Sequence, residues 1–139
     1  MLSELLRAIA ASPDPSALFD CDTNPEKAEQ IARNLVVNWM ASRDLVEANG
    51  GRFIPVLQPV AYLGSPSVEH LPEINDVSPL GHQFQTVYPI IIQMLNETDL
   101  SWLDLTDVFD STPRVYIDFC HVVSSGNSVL VDRLLSSKE

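Results

Sequence analysis

Apolar residues recur every three to four positions along two long stretches of this chain, and each stretch predicts a helix. In the first, Ala28, Ile31, Ala32, Leu35, Val36, Trp39 and Met40 draw one stripe that Leu45 or Val46 continues. Asn24 is a favourable N-cap, Pro25 suits the first helical position, and Glu26 and Glu29 sit at the positive end of the helix dipole. Gly50-Gly51 supplies the left-handed residue on which helices commonly end. The second stretch predicts a helix over about 82–97, with Phe84, Val87, Tyr88, Ile91 and Leu95 facing inward. Pro89 either kinks it or marks its first turn. Two shorter helices bracket these. Leu2, Leu5, Leu6, Ile9 and Ala10 predict one that Pro13 and Pro15 stop, with a loop from Ser12 to Thr23. A last helix opens near Asn127 and buries Val129 or Leu130, Leu134 and Leu135.

Elsewhere the pattern changes from a period to a run. Phe53-Ile54-Pro55-Val56-Leu57 follows the long helix and predicts a buried parallel strand, with Pro55 removing one ladder donor. Val115-Tyr116-Ile117 predicts a second short buried strand, and Leu103, Leu105 and Phe109 alternate weakly before it. Residues 59–80 hold four prolines and no period, so they are expected to form a long excursion over the surface. Helices alternating with apolar runs point to a parallel sheet clothed by helices, an α/β fold.

The 139 residues make one domain, or part of one. Hydrophobic residues at 45% against 19% charged allow a packed core. A net charge of −11, dispersed along the chain, excludes nucleic acid and anionic membranes as expected partners. No stretch is long and apolar enough to predict a membrane span, and the first dozen residues lack a signal-peptide pattern. The chain as given is therefore expected in the cytoplasm; a start further upstream would admit a secreted or periplasmic location. Cys21 and Cys120 are expected to be free thiols.

The candidate chemistry lies in Asp118-Phe119-Cys120-His121, followed by Ser125-Gly126-Asn127. An aspartate three residues before a histidine can accept its Nδ1–H, which leaves Nε2 free as a base. The residues that could do otherwise are weighed against this. Asp118, Cys120 and His121 lack a distant fourth ligand, so no metal is expected, and no cofactor. Cys120 as a nucleophile beside His121 is disfavoured because adjacent side chains leaving a strand point apart. Gln58 and Tyr62 follow the carboxyl end of the first strand, where α/β sheets bind ligands, so either substrate contact or loop anchoring fits them. His70 and His82 are expected to be solvated, Trp39 and Trp102 to be core or partner-facing, and Ser124 and Ser125 to open the last helix.

With those residues in view, the chain resembles the SGNH (GDSL-like) hydrolases. The resemblance rests on Phe53 to Tyr62, which is similar to the penultimate strand and following loop of some bacterial members. It rests equally on Asp118-Phe119-Cys120-His121 with Gly126-Asn127 opening a helix, similar to the family's last block. Leu103 to Phe109 sits where the family often carries a similar segment. The resemblance implies a partial three-layer α/β/α, flavodoxin-like fold with a short parallel sheet flanked by helices. It implies catalytic roles for Asp118 and His121. The family's Gly-Asp-Ser and Gly-x-Asn-Asp motifs are absent; Asn75-Asp76 follows Glu73-Ile74 and lies on the wrong side of the Leu-Gln-Pro strand. The chain thus resembles the C-terminal half of an SGNH domain, without the nucleophilic serine and the oxyanion donors. It is expected to be inactive alone, and to act on a small ester only if completed. A half-sheet bares an edge, so association as a homodimer or with a complementing N-terminal half is expected. The rival expectation is a non-catalytic α/β interaction domain.

Overall fold

The long first helix forms where its caps dictate. In the computed structural model, which describes residues 19–75, 78–110 and 112–136, α1 spans Pro25–Ala48. Asn24 caps it by accepting from the Lys27 N–H at 3.2 Å, and Gly50 takes the positive φ of 77° that reverses the chain. Ala28, Ala32 and Val36 form its buried line, and small residues there let the neighbouring helix approach closely. The stripe is narrower than the sequence predicts, since Ile31 is 37% exposed and Leu45 68% exposed. The predicted helix over the first dozen residues lies outside the described residues.

The chain then enters β1, Val56–Leu57, and reaches its parallel partner β2, Leu103–Asp104, by way of two helices. These are α2, the single turn Pro72–Asn75, and α3, Pro79–Asn96. The Leu103 N–H donates to the Pro55 carbonyl at 3.0 Å and the Leu105 N–H to the Leu57 carbonyl at 3.1 Å. Val56 faces Leu103 and Leu57 faces Asp104 in register. Pro55 thus contributes only its carbonyl, the one ladder group a proline retains. Among the described residues the sheet has these two strands only, so the molecule is a helix-rich α/β fold with a minimal parallel sheet.

Helix α3 starts earlier than its hydrophobic period implies. The Ser78 hydroxyl accepts from the Gly81 N–H at 3.0 Å and Pro79 occupies the first turn, so an N-cap and a proline set the boundary. Pro89 lies inside the helix on its exposed side, where it removes one N–H from the helical ladder. Val87, Tyr88, Ile91 and Leu95 of α3 pack with the α1 line, Leu57, Val60 and Leu100 into one core.

A second core lies below the candidate chemistry: Ala61, Leu71, Ile74, Phe109, Val115 and Tyr116. The described residues between 59 and 80 are therefore not a purely surface excursion. Val60 and Ala61 are buried, and Leu71 and Ile74 plug the second core. The prolines space these apolar residues irregularly, which hides the burial from any test of periodicity. The predicted strand at 115–117 is likewise absent as a sheet member. Its backbone pairs instead with the chain that returns after His121, through an isolated antiparallel bridge of Tyr116 with Val122. Val115 and Tyr116 are apolar because both sit in the second core, whereas Ile117 is 58% exposed. Helix α4, Ser124–Ser136, closes the fold.

Candidate functional site

The hairpin 115–123 is drawn shut by two backbone hydrogen bonds. The Ile117 N–H donates to the His121 carbonyl at 2.8 Å, and the Val123 N–H donates to the Val115 carbonyl at 2.9 Å. Asp118, Phe119 and Cys120 remain at the tip, and each holds the loop differently. Asp118 Oδ1 accepts from the backbone N–H groups of Cys120 at 2.9 Å and His121 at 2.8 Å, the local turn that aspartate favours. The Phe119 carbonyl accepts from the Ala61 N–H at 2.8 Å. Its ring centroid lies 6.2 Å from that of Tyr62 and 5.9 Å from that of Phe84. His70 Nε2 lies 2.9 Å from the Tyr116 carbonyl, which can only accept, so His70 donates and pins the stem of the hairpin. His70 is exposed, as expected, and this contact also ties it to the hairpin.

Gly126 lets α4 lie against this hairpin. A Cβ at that position would meet Val115 Cγ1 at 2.7 Å and Val122 Cβ at 2.9 Å. Any side chain there would push the helix off the loop that carries the site.

With Oδ1 engaged by the backbone, Asp118 Oδ2 meets His121 Nδ1 at 2.7 Å. An ionised carboxylate has no proton to give, so the imidazole donates from Nδ1, and in the neutral ring that leaves Nε2 bare. The backbone N–H of Cys120, then that of His121, then the imidazole hold the Asp118 carboxyl far below the usual carboxylate range. The carboxylate is therefore a fixed acceptor at any pH near neutrality. The His121 side chain is 73% exposed and that of Asp118 43%, so Nε2 is open to a reactant. So exposed an ion pair adds little to stability, and its importance lies in orienting the ring.

Cys120 does not point away from its neighbour as expected for residues leaving a strand. The turn around Asp118 brings Cys120 Sγ to 3.6 Å from His121 Nδ1. Burial and the Asp118 charge push the thiol's pKa up, so the sulfur remains a thiol and a poor nucleophile. Cys21 is buried, and both cysteines are free. His82 Nδ1 lies 3.7 Å from an oxygen of Asp22. Ser124 and Ser125 stand exposed in the first turn of α4, the helix-entry role expected of them.

A recess of about 230 Å³ opens beside the pair, bounded by Gln58, Pro59, Cys120, His121, Asn127 and Leu130 among others. Gln58 follows directly on β1, so the recess lies at the carboxyl end of that strand. Its side chain is exposed there, while its carbonyl accepts from the Tyr88 hydroxyl at 3.4 Å. Tyr62 does not line the recess. Its ring stacks on Phe84 at 5.9 Å, and its hydroxyl accepts from that of Ser78 at 3.3 Å. Of the two roles its sequence position left open, the structure gives Tyr62 the anchoring one, through Phe119. The sequence places Asn127 at the opening of the last helix and Leu130 among the residues that helix could bury; that both border a recess beside His121 is not legible from it. Comparison of the chain with protein-family models, with curated proteins and with solved structures finds no match.

Proposed function

We propose that this chain is the C-terminal part of an SGNH-type carboxylic ester hydrolase, bringing His121 as general base and Asp118 as its orienting carboxylate. The observation that carries the reading is the 2.7 Å contact from His121 Nδ1 to Asp118 Oδ2, with Nε2 exposed beside a recess. A complementing polypeptide supplies the serine and the oxyanion donors, and covers the open edge of the β1–β2 pair. Together they complete the three-layer arrangement that the family resemblance implies. His121 Nε2 takes the serine proton as the hydroxyl attacks the ester carbonyl, then returns it to the departing alcohol. Asp118 stays ionised throughout and stabilises the imidazolium between the two transfers.

The recombinant chain alone is expected to leave short p-nitrophenyl esters untouched and to take no label from a fluorophosphonate, because both need the serine. The same chain isolated with its partners from its source cells is expected to hydrolyse those esters, with a serine of the partner labelled. His121→Ala abolishes both signals. Turnover by the assembly that survives His121→Ala, or an assembly with no turnover at all, contradicts the proposal.

A further inference from the structure

Three donor atoms of different chemistry converge at the tip of the hairpin. Asp118, Cys120 and His121 each offer one ligating atom, a carboxylate oxygen, the sulfur and a ring nitrogen, and these all lie within 4.8 Å of one another. Around a tetrahedral zinc ion, bond lengths of about 2.3 Å to sulfur and about 2.0 Å to nitrogen or oxygen set the donor separations. They come to about 3.6 Å for sulfur to nitrogen and about 3.3 Å for nitrogen to oxygen. The Sγ to Nδ1 separation is 3.6 Å, already that of a tetrahedral edge. The Nδ1 to Oδ2 separation is 2.7 Å, so the carboxylate oxygen has to retreat by roughly half an ångström. Oδ1 stays tied to the two backbone N–H groups, which gives the carboxylate the supporting contact that metal ligands typically have. The neighbouring recess leaves room for water at the fourth position.

We infer that Asp118, Cys120 and His121 form a site for a thiophilic divalent cation of the zinc type, and that its occupancy switches off the base. The switch rests on the function proposed above; the binding does not. On binding, the Cys120 thiol loses its proton to solvent as the sulfur–metal bond forms. His121 Nδ1 exchanges its hydrogen for the metal, and the ring's proton moves through solvent to Nε2. One proton is released per ion, and Nε2, now an N–H, can no longer accept one from a serine. The soft sulfur selects zinc-like ions over magnesium or calcium.

Titration of the metal-free recombinant chain with cobalt(II) tests the site. One ion per chain is expected, with a thiolate-to-cobalt charge-transfer absorption and tetrahedral visible bands that zinc(II) then displaces. Cys120→Ser is expected to remove the charge-transfer absorption. Cys120→Ser and His121→Ala should each weaken zinc binding beyond the roughly 10–100-fold that loss of a supporting partner costs. Cys21→Ser should change neither reading. No binding at micromolar zinc, or binding that depends on Cys21 instead of Cys120, overturns the site. A histidine ring nitrogen spectrum separates the two ideas. Zinc should move the His121 proton from Nδ1 to Nε2; a proton that stays on Nδ1 in the loaded chain overturns the switch. A metal-free ring already protonated at Nε2 contradicts the proposed base and leaves the binding result standing.

Discussion

Asp118→Asn is expected to lower ester turnover by the assembled hydrolase about 10⁴-fold while leaving the hairpin folded, since the wrong imidazole tautomer costs a serine triad about that much. The size of the effect follows from how the two carboxylate oxygens are used. Oδ1 accepts from the backbone at Cys120 and His121, and an amide oxygen can do the same, so the turn survives. Oδ2 becomes an NH₂ group that faces His121 Nδ1 and must donate where the carboxylate accepted. The ring then keeps a bare Nδ1 and carries its proton on Nε2, the tautomer that cannot take one from a hydroxyl. Turnover of p-nitrophenyl butyrate, measured beside circular dichroism of the same preparation, reads the result. A loss below about tenfold would mean that Asp118 does not set the tautomer.

Phe109→Ala carries the largest stability effect. Phe109 is 1% exposed and sits at the centre of the second core, edge-on to Tyr116 at 5.4 Å and 84°. Truncation to alanine loses the transfer free energy of the ring and leaves a cavity, about 3–5 kcal/mol together. Few substitutions in a single domain cost more, and domains of ordinary size hold only about 5–15 kcal/mol in total. The consequence reaches the site, because Val115 and Tyr116 rest on that core and form the stem of the hairpin. Urea unfolding should show the loss as a lower midpoint. A change under about 1 kcal/mol would mean that the second core does not support the fold as described.

The parts of this molecule that were legible in its sequence are those settled by neighbouring residues. Asn24, Pro25 and Gly50 bound α1 because capping is a local interaction, decided within one turn of chain. The Asp118–His121 pairing was legible for the same reason: three residues separate the groups, and one tight turn joins them. Whatever depends on distant chain was harder to read. The apolar run at Val115 and Tyr116 fits a sheet strand and the stem of a hairpin equally well, and only the Tyr116–Val122 bridge distinguishes them. The sheet partner of Val56–Leu57 is Leu103–Asp104, whose alternation was faint because two residues are too few to show a period. Leu71 and Ile74 gave no signal as core residues, since prolines break the spacing on which pattern arguments depend. Helix α3 shows the converse error. Its apolar period pointed to a start near 82, while Ser78 and Pro79, both plain in the sequence, fix the true one.

The site divides in the same way. Gln58 stands where a parallel strand ends, a place where recesses form, and it borders this one. Tyr62 follows the same strand, yet its ring is claimed by Phe84 and Phe119, contacts that the sequence does not predict. Cys120 shows the limit of reasoning from strand geometry. The rule that neighbours point apart holds along an extended strand and fails on a turn, where Asp118 gathers both following N–H groups.

The protonation state of the His121 ring decides the account. In a two-bond proton–nitrogen spectrum of the metal-free chain, at a pH where the ring is neutral, His121 should show its hydrogen on Nδ1 and an unprotonated Nε2, with the pattern inverted in Asp118→Asn. A wild-type ring protonated at Nε2, or one averaging freely between the two forms, would mean that Asp118 does not orient an available base.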